Sequence, residues 1–404
     1  MYSKNDVLEY IKSEDVKFVK LAFCDIFGVQ KNISVIADEM ERAFEHGISF
    51  DASAICGFGD EASSDLFLFP DPSTLEVLPW RPMQGKVVRM MCDIKMPDGS
   101  PFEMDTRYIL KKAVKYAKEN GIELNIGAEF EFYLFKTDDE GMPTDIPFDN
   151  AGYFDIAPLD RGENVRREIC LTLEDMEIYP ESSHHEEGPG QNEIDFKYSA
   201  PLSSADNAVT FKAVTQTIAA KNGLYASFMP KPIKNASGNG MHINISLNDK
   251  SKTDSFIAGI LENIRGITVF LNPLRESYER LGGKKAPLYI TWAEGNRSQL
   301  IRIPAETNER SRFELRSPDP MANPYLAYAL LIYAGVYGVL ENKQLCEPCN
   351  VNLYSADKSV TEKLDVLPKN IEEAITLAEN SIIVKKYMPR NIIELLRNFN
   401  SKPE

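Results

Sequence analysis

The order of apolar and polar positions predicts a small strand-rich part followed by a larger part in which helices and strands alternate. In VKFVKLAFCDIFG (16–28), Val16, Phe18 and Leu21 stand among polar neighbours and predict a strand; GKVVRMMCDI (85–94) predicts another. Between them, ADEMERAFEHG places Met40, Ala43 and Phe44 on one helical face, with Gly47 as the stop. Residues 1–100 therefore read as short strands around one helix. The Pro-Asp-Gly-Ser-Pro stretch at 97–101 is the best domain boundary. A helix is expected from near Asp105 to Asn120-Gly121.

In 101–404 one kind of strand recurs. Along Ile126–Phe135, Glu129 and Glu131 lie two apart and share a face. Along Met241–Ser246, His242, Asn244 and Ser246 oppose Ile243 and Ile245. Arg312, Glu314 and Arg316 oppose Phe313 and Leu315, and Arg302 stands between Ile301 and Ile303. Singly, each is a strand with a wet polar side. Together they predict one sheet whose polar side lines a cavity. The uncharged run Pro320–Leu340 is long enough to cross a bilayer. It holds Asn323, Pro324, four tyrosines and two glycines, and reads as a buried core helix with Pro324 in its first turn.

The stretch His184-His185-Glu186-Glu187-Gly188-Pro189-Gly190-Gln191-Asn192-Glu193-Ile194-Asp195 gathers two of the four histidines and four acidic residues around a turn. Two carboxylates about 4 Å apart repel by roughly 4 kcal/mol at an effective dielectric near 20. Such a run either points into water or surrounds a cation. Glu129, Glu131, Glu186, Glu193, Glu314 and His242 form a mostly hard-oxygen set that suits Mg2+ or Mn2+ better than zinc. Five carboxylates exceed what one such ion usually takes, and paired ions serve phosphoryl transfer. Arginines suit anionic oxygens. No Walker-type or G-x-G-x-x-G phosphate loop is present, so a nucleotide would be held through metal and arginine.

Composition narrows the partners. The 404 residues carry a net charge of −16, which disfavours nucleic acid and anionic membranes. Six scattered cysteines suit a reducing, cytoplasmic setting, and Cys346-Glu-Pro-Cys349 reads as two ordinary thiols. The charged N-terminus does not read as a signal peptide.

Six segments, in order, resemble the glutamine synthetase family: SFDASAICGF (49–58), GAEFEFYLF (127–135), SHHEEGPGQNEIDF (183–196), SFMPKPIKNASGNGMHINISL (227–247), NRSQLIRIP (296–304) and RFELRSPDPMANPYLA (312–327). The resemblance implies an α+β fold. Residues 1–100 would form a β-grasp domain, and 101–404 a catalytic domain of antiparallel strands flanked by helices. It implies Glu131, Glu186 and Glu193 around one ion and Glu129, His242 and Glu314 around a second, which bridges to ATP. The glutamate substrate would meet Glu131, Gly238 and Arg280; Arg297 and Arg316 would meet the reacting carboxylate and phosphate. Glu181, Tyr198, Asn244, Ser246, Arg302 and Arg312 match positions around the nucleotide. Asp51, Tyr153 and Glu186 match the ammonium side. The implied reaction activates the glutamate γ-carboxylate with ATP and passes it to an amine nitrogen. It implies a homo-oligomer, with each active site between subunits of a hexameric ring; the extra C-terminal tail that stacks two rings is not matched.

The departures gather on the acceptor side. The flap reads Arg280-Leu-Gly-Gly-Lys-Lys285-Ala-Pro, one residue short, with Lys285 where the family usually has a glutamate. Ala54 replaces a serine, and Ser237-Gly238 replaces an Asn-Gly pair. Tyr354 lies near a position that is adenylylated in some bacterial members, without its usual surroundings, and reads as structural. Three readings follow: a glutamate–ammonia ligase, a γ-glutamyl ligase for an organic amine, and a non-catalytic regulatory homologue.

Overall fold

The computed structural model describes residues 2–60, 62–81, 84–305 and 312–401. The chain begins with a helix, Lys4–Ser13, to which the apolar pattern assigns no element. Ser3 caps it by accepting from Asp6 N, Asp6 returns the bond to Ser3 N, and Val7 and Ile11 are buried one turn apart. The Ser3-x-x-Asp6 box and the i, i+4 apolar pair were both present in the sequence; the density of charge masked them.

The smaller sheet is built from β1 (Phe18–Cys24), β2 (Gln30–Ile36), β3 (Ile48–Asp51), β4 (Asp65–Pro70), β5 (Glu76–Val77) and β6 (Val87–Lys95), in the order β2-β1-β6-β4-β3 with β5 on β6. β1 and β6 run parallel and their other pairings are antiparallel. The expected helix on this sheet is a 3-10 turn, Ala37–Glu39, leading into Met40–His46, and Gly47 ends it at φ 71°.

Among the described residues the larger sheet has nine strands. They are β7 (Leu124–Thr137), β8 (Pro143–Pro147), β9 (Pro180–His185), β10 (Gln191–Phe196), β11 (Leu224–Ser227), β12 (Met241–Leu247), β13 (Trp292–Glu294), β14 (Ile301–Ile303) and β15 (Phe313–Leu315). Their order is β13-β14-β15-β12-β7-β10-β9, with β8 and β11 also on β7. β7 is the spine. Its alternation sends Phe130 and Phe132 to one side and Glu129 and Glu131 to the other. The phenylalanines pack on Phe211 of the helix Pro201–Lys221, with ring centroids 5.0 and 6.2 Å away. Each such buried side chain contributes about 1.5–3 kcal/mol, and the back of the sheet is thereby closed to water.

The helix Thr106–Glu119 starts on Asp105, whose carboxylate accepts from Arg107 N. Its Arg107 is buried and bonds Asp71 and Asp93 beside the small sheet and Asp206 in Pro201–Lys221, at 2.9–3.0 Å. One guanidinium thus joins the two parts of the molecule. The uncharged run forms the helix Pro324–Leu340, capped by Asn323 and buried on nearly every side. No helix among the described residues is long and apolar enough to cross a membrane.

Candidate active site

Strand register brings the polar positions into rows. Asp195, Glu129 and His242 face one another across β10, β7 and β12. His184, Glu193 and Glu131 do so across β9, β10 and β7. Asn244, Glu314 and Arg302 complete the face across β12, β15 and β14. A slip of one residue in any ladder would turn these groups into the apolar core, so burial of the opposite face holds the site in place.

Donor atoms of Glu129, His242 and Glu314 lie within 4.8 Å of one another. His242 Nδ1 is 3.3 Å from Glu129 and 3.5 Å from Glu314. Glu314 also receives Arg316 at 2.5 Å and Arg302 at 2.8 Å. Burial works against its charge, but Arg316, His242 and Arg302 outweigh burial and hold its pKa at about 2. Glu129 accepts from Asn244 at 2.8 Å, and Asn244 accepts from Arg312 at 3.0 Å.

The second group is His184, Glu186 and Glu193, again within 4.8 Å. Glu131, the strand neighbour of Glu193, turns toward Gly240 N at 2.7 Å. Burial raises the pKa of Glu193, helped by repulsion from Asp195 and Glu131, and burial with repulsion from Glu131 raises Glu186. Burial and Glu129 push Asp195 up to about 7. Among the described residues no lysine or arginine pairs with Glu129, Glu131 or Glu193. This is a buried excess of negative charge made of oxygens with two imidazoles, a donor set that fits hard divalent cations. His184 and Asp195 belong to it and received no role from the sequence. Their signal was there: His184 precedes Glu186 by two, Asp195 follows Glu193 by two, and period-two spacing puts such pairs on one face.

The turn between Glu186 and Glu193 is held from behind. His185 is fully buried; its Nδ1 is 2.6 Å from Glu186 O and its Nε2 is 2.9 Å from Asp149. Burial opposes its charge, and the bonds to Asp149 and to the Glu186 carbonyl, with the charge of Asp149, together outweigh that and raise its pKa. Asp149 also accepts from Gly190 N and Arg161 N; despite its own burial, the bonds from His185 and Arg161 N hold it at about 2. Gly190 turns at φ 69°, and Gly188 sits so close to Tyr133 that a Cβ would lie 1.9 Å from its hydroxyl.

A cavity opens at each end of the carboxylates. The larger, about 490 Å³, is lined by Glu129, Glu181, Tyr198, Asn244, Ser246 and Arg312. Most positions matched to the nucleotide therefore share one cavity; Arg302 instead faces Glu314. The smaller pocket is lined by Glu131, Glu186, Gly238, Arg280 and Lys285 among others. Arg280 is buried and donates to the carbonyls of Ser317 at 2.7 Å and Arg316 at 3.3 Å. Burial lowers its pKa, with no carboxylate in ion-pair contact among the described residues. A guanidinium so placed favours an anionic guest. Gly238 O accepts from Gln191, 3.2 Å away.

Of the other expected residues, Arg297 and Tyr153 lie at the margin of the carboxylates and Asp51 lies apart from them. Arg297 is exposed, and its carbonyl accepts from the Tyr354 hydroxyl at 3.1 Å. Asp51, at the end of β3, is exposed and accepts from Ser53; no hydrogen bond or ion pair among the described residues links it to the carboxylates. Tyr153 stacks on Phe154 with centroids 4.0 Å apart and meets the edge of His184.

Comparison with known proteins places the chain in a family. Residues 103–402 match the family described as glutamine synthetase, catalytic domain, and residues 15–97 match glutamine synthetase, beta-Grasp domain. The chain is 45% identical to glutamine synthetase of Clostridium saccharobutylicum over 403 residues, covering 95% of this chain and 91% of that protein. A structure of GmaS in complex with ADP superposes with a TM-score of 0.87 at 27% identity, covering 98% of this chain and 94% of that one. Plasmodium falciparum glutamine synthetase superposes with a TM-score of 0.86 at 25% identity, covering 99% and 96%. With both family domains matched in order along one chain, this protein belongs to the glutamine synthetase family.

Proposed function

We propose that this chain is an ATP-dependent glutamate–ammonia ligase that forms glutamine through γ-glutamyl phosphate. The observation that carries the reading is the row of carboxylates, with Glu129, Glu131 and Glu193 lacking a lysine or arginine partner among the described residues, between a nucleotide-sized cavity and a smaller pocket holding a buried guanidinium. Tyr198, Asn244, Ser246, Arg312 and Glu181 would seat ATP in the large cavity. Arg280, Gly238 and Glu131 would seat glutamate in the small one, the guanidinium meeting its carboxylate and Glu131 its amine. The γ-carboxylate then points at the phosphate across the carboxylate row. Arg316, oriented by Glu314, and Arg297 would offset the charge that builds on the transferred phosphoryl group.

Glu129, His242 and Glu314 would hold one Mg2+ or Mn2+, and Glu186, Glu193 and His184 another, with Glu131 beside them on the next strand. When bound, these ions supply charge neutralisation between phosphate and carboxylate oxygens. Tyr153, Glu186 and an Asp51 from a neighbouring copy would hold the acceptor nitrogen. Residues 1–100 would be the β-grasp domain and 101–404 the catalytic domain of a cytoplasmic homo-oligomer, a hexameric ring or stacked rings.

The test is phosphate release by the full chain with glutamate, ATP and magnesium, with and without ammonium. Ammonium-dependent turnover that stops when the metal is chelated is expected; none from folded, metal-loaded protein would end the reading. A γ-glutamyl ligase for an organic amine is the second reading, favoured by Lys285, which stands 3.5 Å from Glu186. A primary amine outpacing ammonium by orders of magnitude in the same assay would select it.

A further inference from the structure

The short flap after the helix Arg275–Arg280 carries a cation into the side of the site where the acceptor would bind. Lys285 Nζ lies 4.0 Å from the centroid of the Tyr153 ring, 3.5 Å from Glu186 and 3.3 Å from Glu187. An aromatic face flanked by two carboxylates is a cage for a small cation. Lys285 reaches it from a left-handed backbone, φ 59°, a conformation that side-chain-bearing residues resist. The neighbouring Lys284 borders the same pocket but pairs with Glu187 alone, at 2.9 Å, with its side chain 70% exposed.

We propose that the Lys285 ammonium is a tethered occupant of the acceptor site. It stands where the nitrogen of a free ammonium or primary alkylammonium ion must stand, and every acceptor enters by displacing it. The inference rests on the reaction proposed above and adds the residue that sets its acceptor preference. The lysine side chain is 40% exposed whereas Glu186 is 7% exposed, so the amine can leave for water while the cage stays assembled. A cation on a short tether competes at an effective concentration of roughly millimolar or more. Ammonium, with only its charge to offer, competes poorly. An alkylammonium ion that also covers the rings of Tyr153 and Phe154 gains apolar contact that the lysine head does not supply.

Steady-state kinetics of the full chain with glutamate, ATP, magnesium and ammonium test this, comparing Lys285→Ala, Lys285→Met and Lys284→Ala with the unchanged protein. Both Lys285 variants are expected to lower the KM for ammonium by about tenfold, with the KM for ATP within about twofold. Lys284→Ala removes a nearby cation without emptying the cage and should leave the ammonium KM within about twofold. An unchanged or higher ammonium KM in both Lys285 variants overturns the proposal. If the unchanged protein turns over with no ammonium, the reaction assignment fails instead, and calorimetry decides the matter of the cage. Methylammonium chloride is then titrated into the chain loaded with magnesium and ADP, against a sodium chloride control. Tighter binding by the two variants is expected; equal or weaker binding overturns the proposal.

Discussion

Asp195 and Glu314 are both buried carboxylates on one sheet face, yet their pKa values are driven in opposite directions. Burial and Glu129 push Asp195 up to about 7, whereas Arg316, His242 and Arg302 hold Glu314 at about 2 against the effect of its burial. Without metal, folded Asp195 keeps a proton that the unfolded chain loses near pH 4, so the folded state binds more protons between about pH 4 and 7. Stability contributed by this group therefore falls as pH rises through that window. Chelator-treated protein is expected to melt at a lower temperature at pH 8 than at pH 5. Asp195→Asn should remove part of that difference, and saturating magnesium should raise the midpoint most at pH 8. Glu314 and Asp149 oppose the trend only below about pH 5, whereas His184, whose pKa burial lowers, offsets part of it nearer neutral pH. A melting midpoint indifferent to pH with and without metal would count against the buried excess of charge. At this scale the residue types were readable in the sequence; their environments were not, because a carboxylate's pKa depends on neighbours that arrive from other strands.

The β9–β10 hairpin is the element that organises the site. Its turn works because Gly190 adopts a conformation other residues resist and Gly188 leaves room for the Tyr133 hydroxyl. Gly188→Ala is expected to cost about 1–3 kcal/mol through overpacking. By shifting Glu186 it should also cut magnesium-dependent turnover by more than tenfold, about 1.4 kcal/mol of barrier. Denaturant titration and phosphate release measure the two effects, and Tyr133→Phe added to the variant should restore part of the stability. An alanine variant of unchanged stability and activity would show that the turn relaxes freely. The Gly-Pro-Gly break was visible in the sequence, as was the shared face of Glu129 and Glu131. Asp149 was not, because it is distant along the chain and earns its place only by packing behind His185. The opening helix shows the reverse case: its cap and apolar pair were local, but charge density hid them.

At the scale of the molecule, a row of apolar side chains is left uncovered beside the site: Tyr153, Phe154, Ile156 and Leu159, with Ile156 76% exposed. Uncovered groups of this kind mark association surfaces. Asp51 adds a polar counterpart, since it is exposed on the small sheet and separate from the carboxylates to which the family pattern assigns it. A second copy of the chain can answer both. Ile156→Asp is expected to reduce the particle mass measured by light scattering and to lower turnover per chain at least tenfold, the size of losing one positioned site group. A fully active monomer would refute assembly as a condition of activity.

The sequence by itself determined the local patterns: two-residue spacing that sorts charge from core along each strand, the punctuation by glycine and proline, and a family signature specific enough to name the chemistry. These are properties of a few neighbouring residues and need no partner. Only the tertiary structure decided which carboxylates meet. It paired Asp195 with Glu129 and His184 with Glu193, turned Arg302 toward Glu314, and lodged Lys285 against Tyr153 and Glu186. Those outcomes depend on register between strands far apart in the chain, and register is set by burying the opposite face of the sheet. The family chemistry was therefore legible along the chain, and the meeting of Lys285 with Tyr153 and Glu186 only in space.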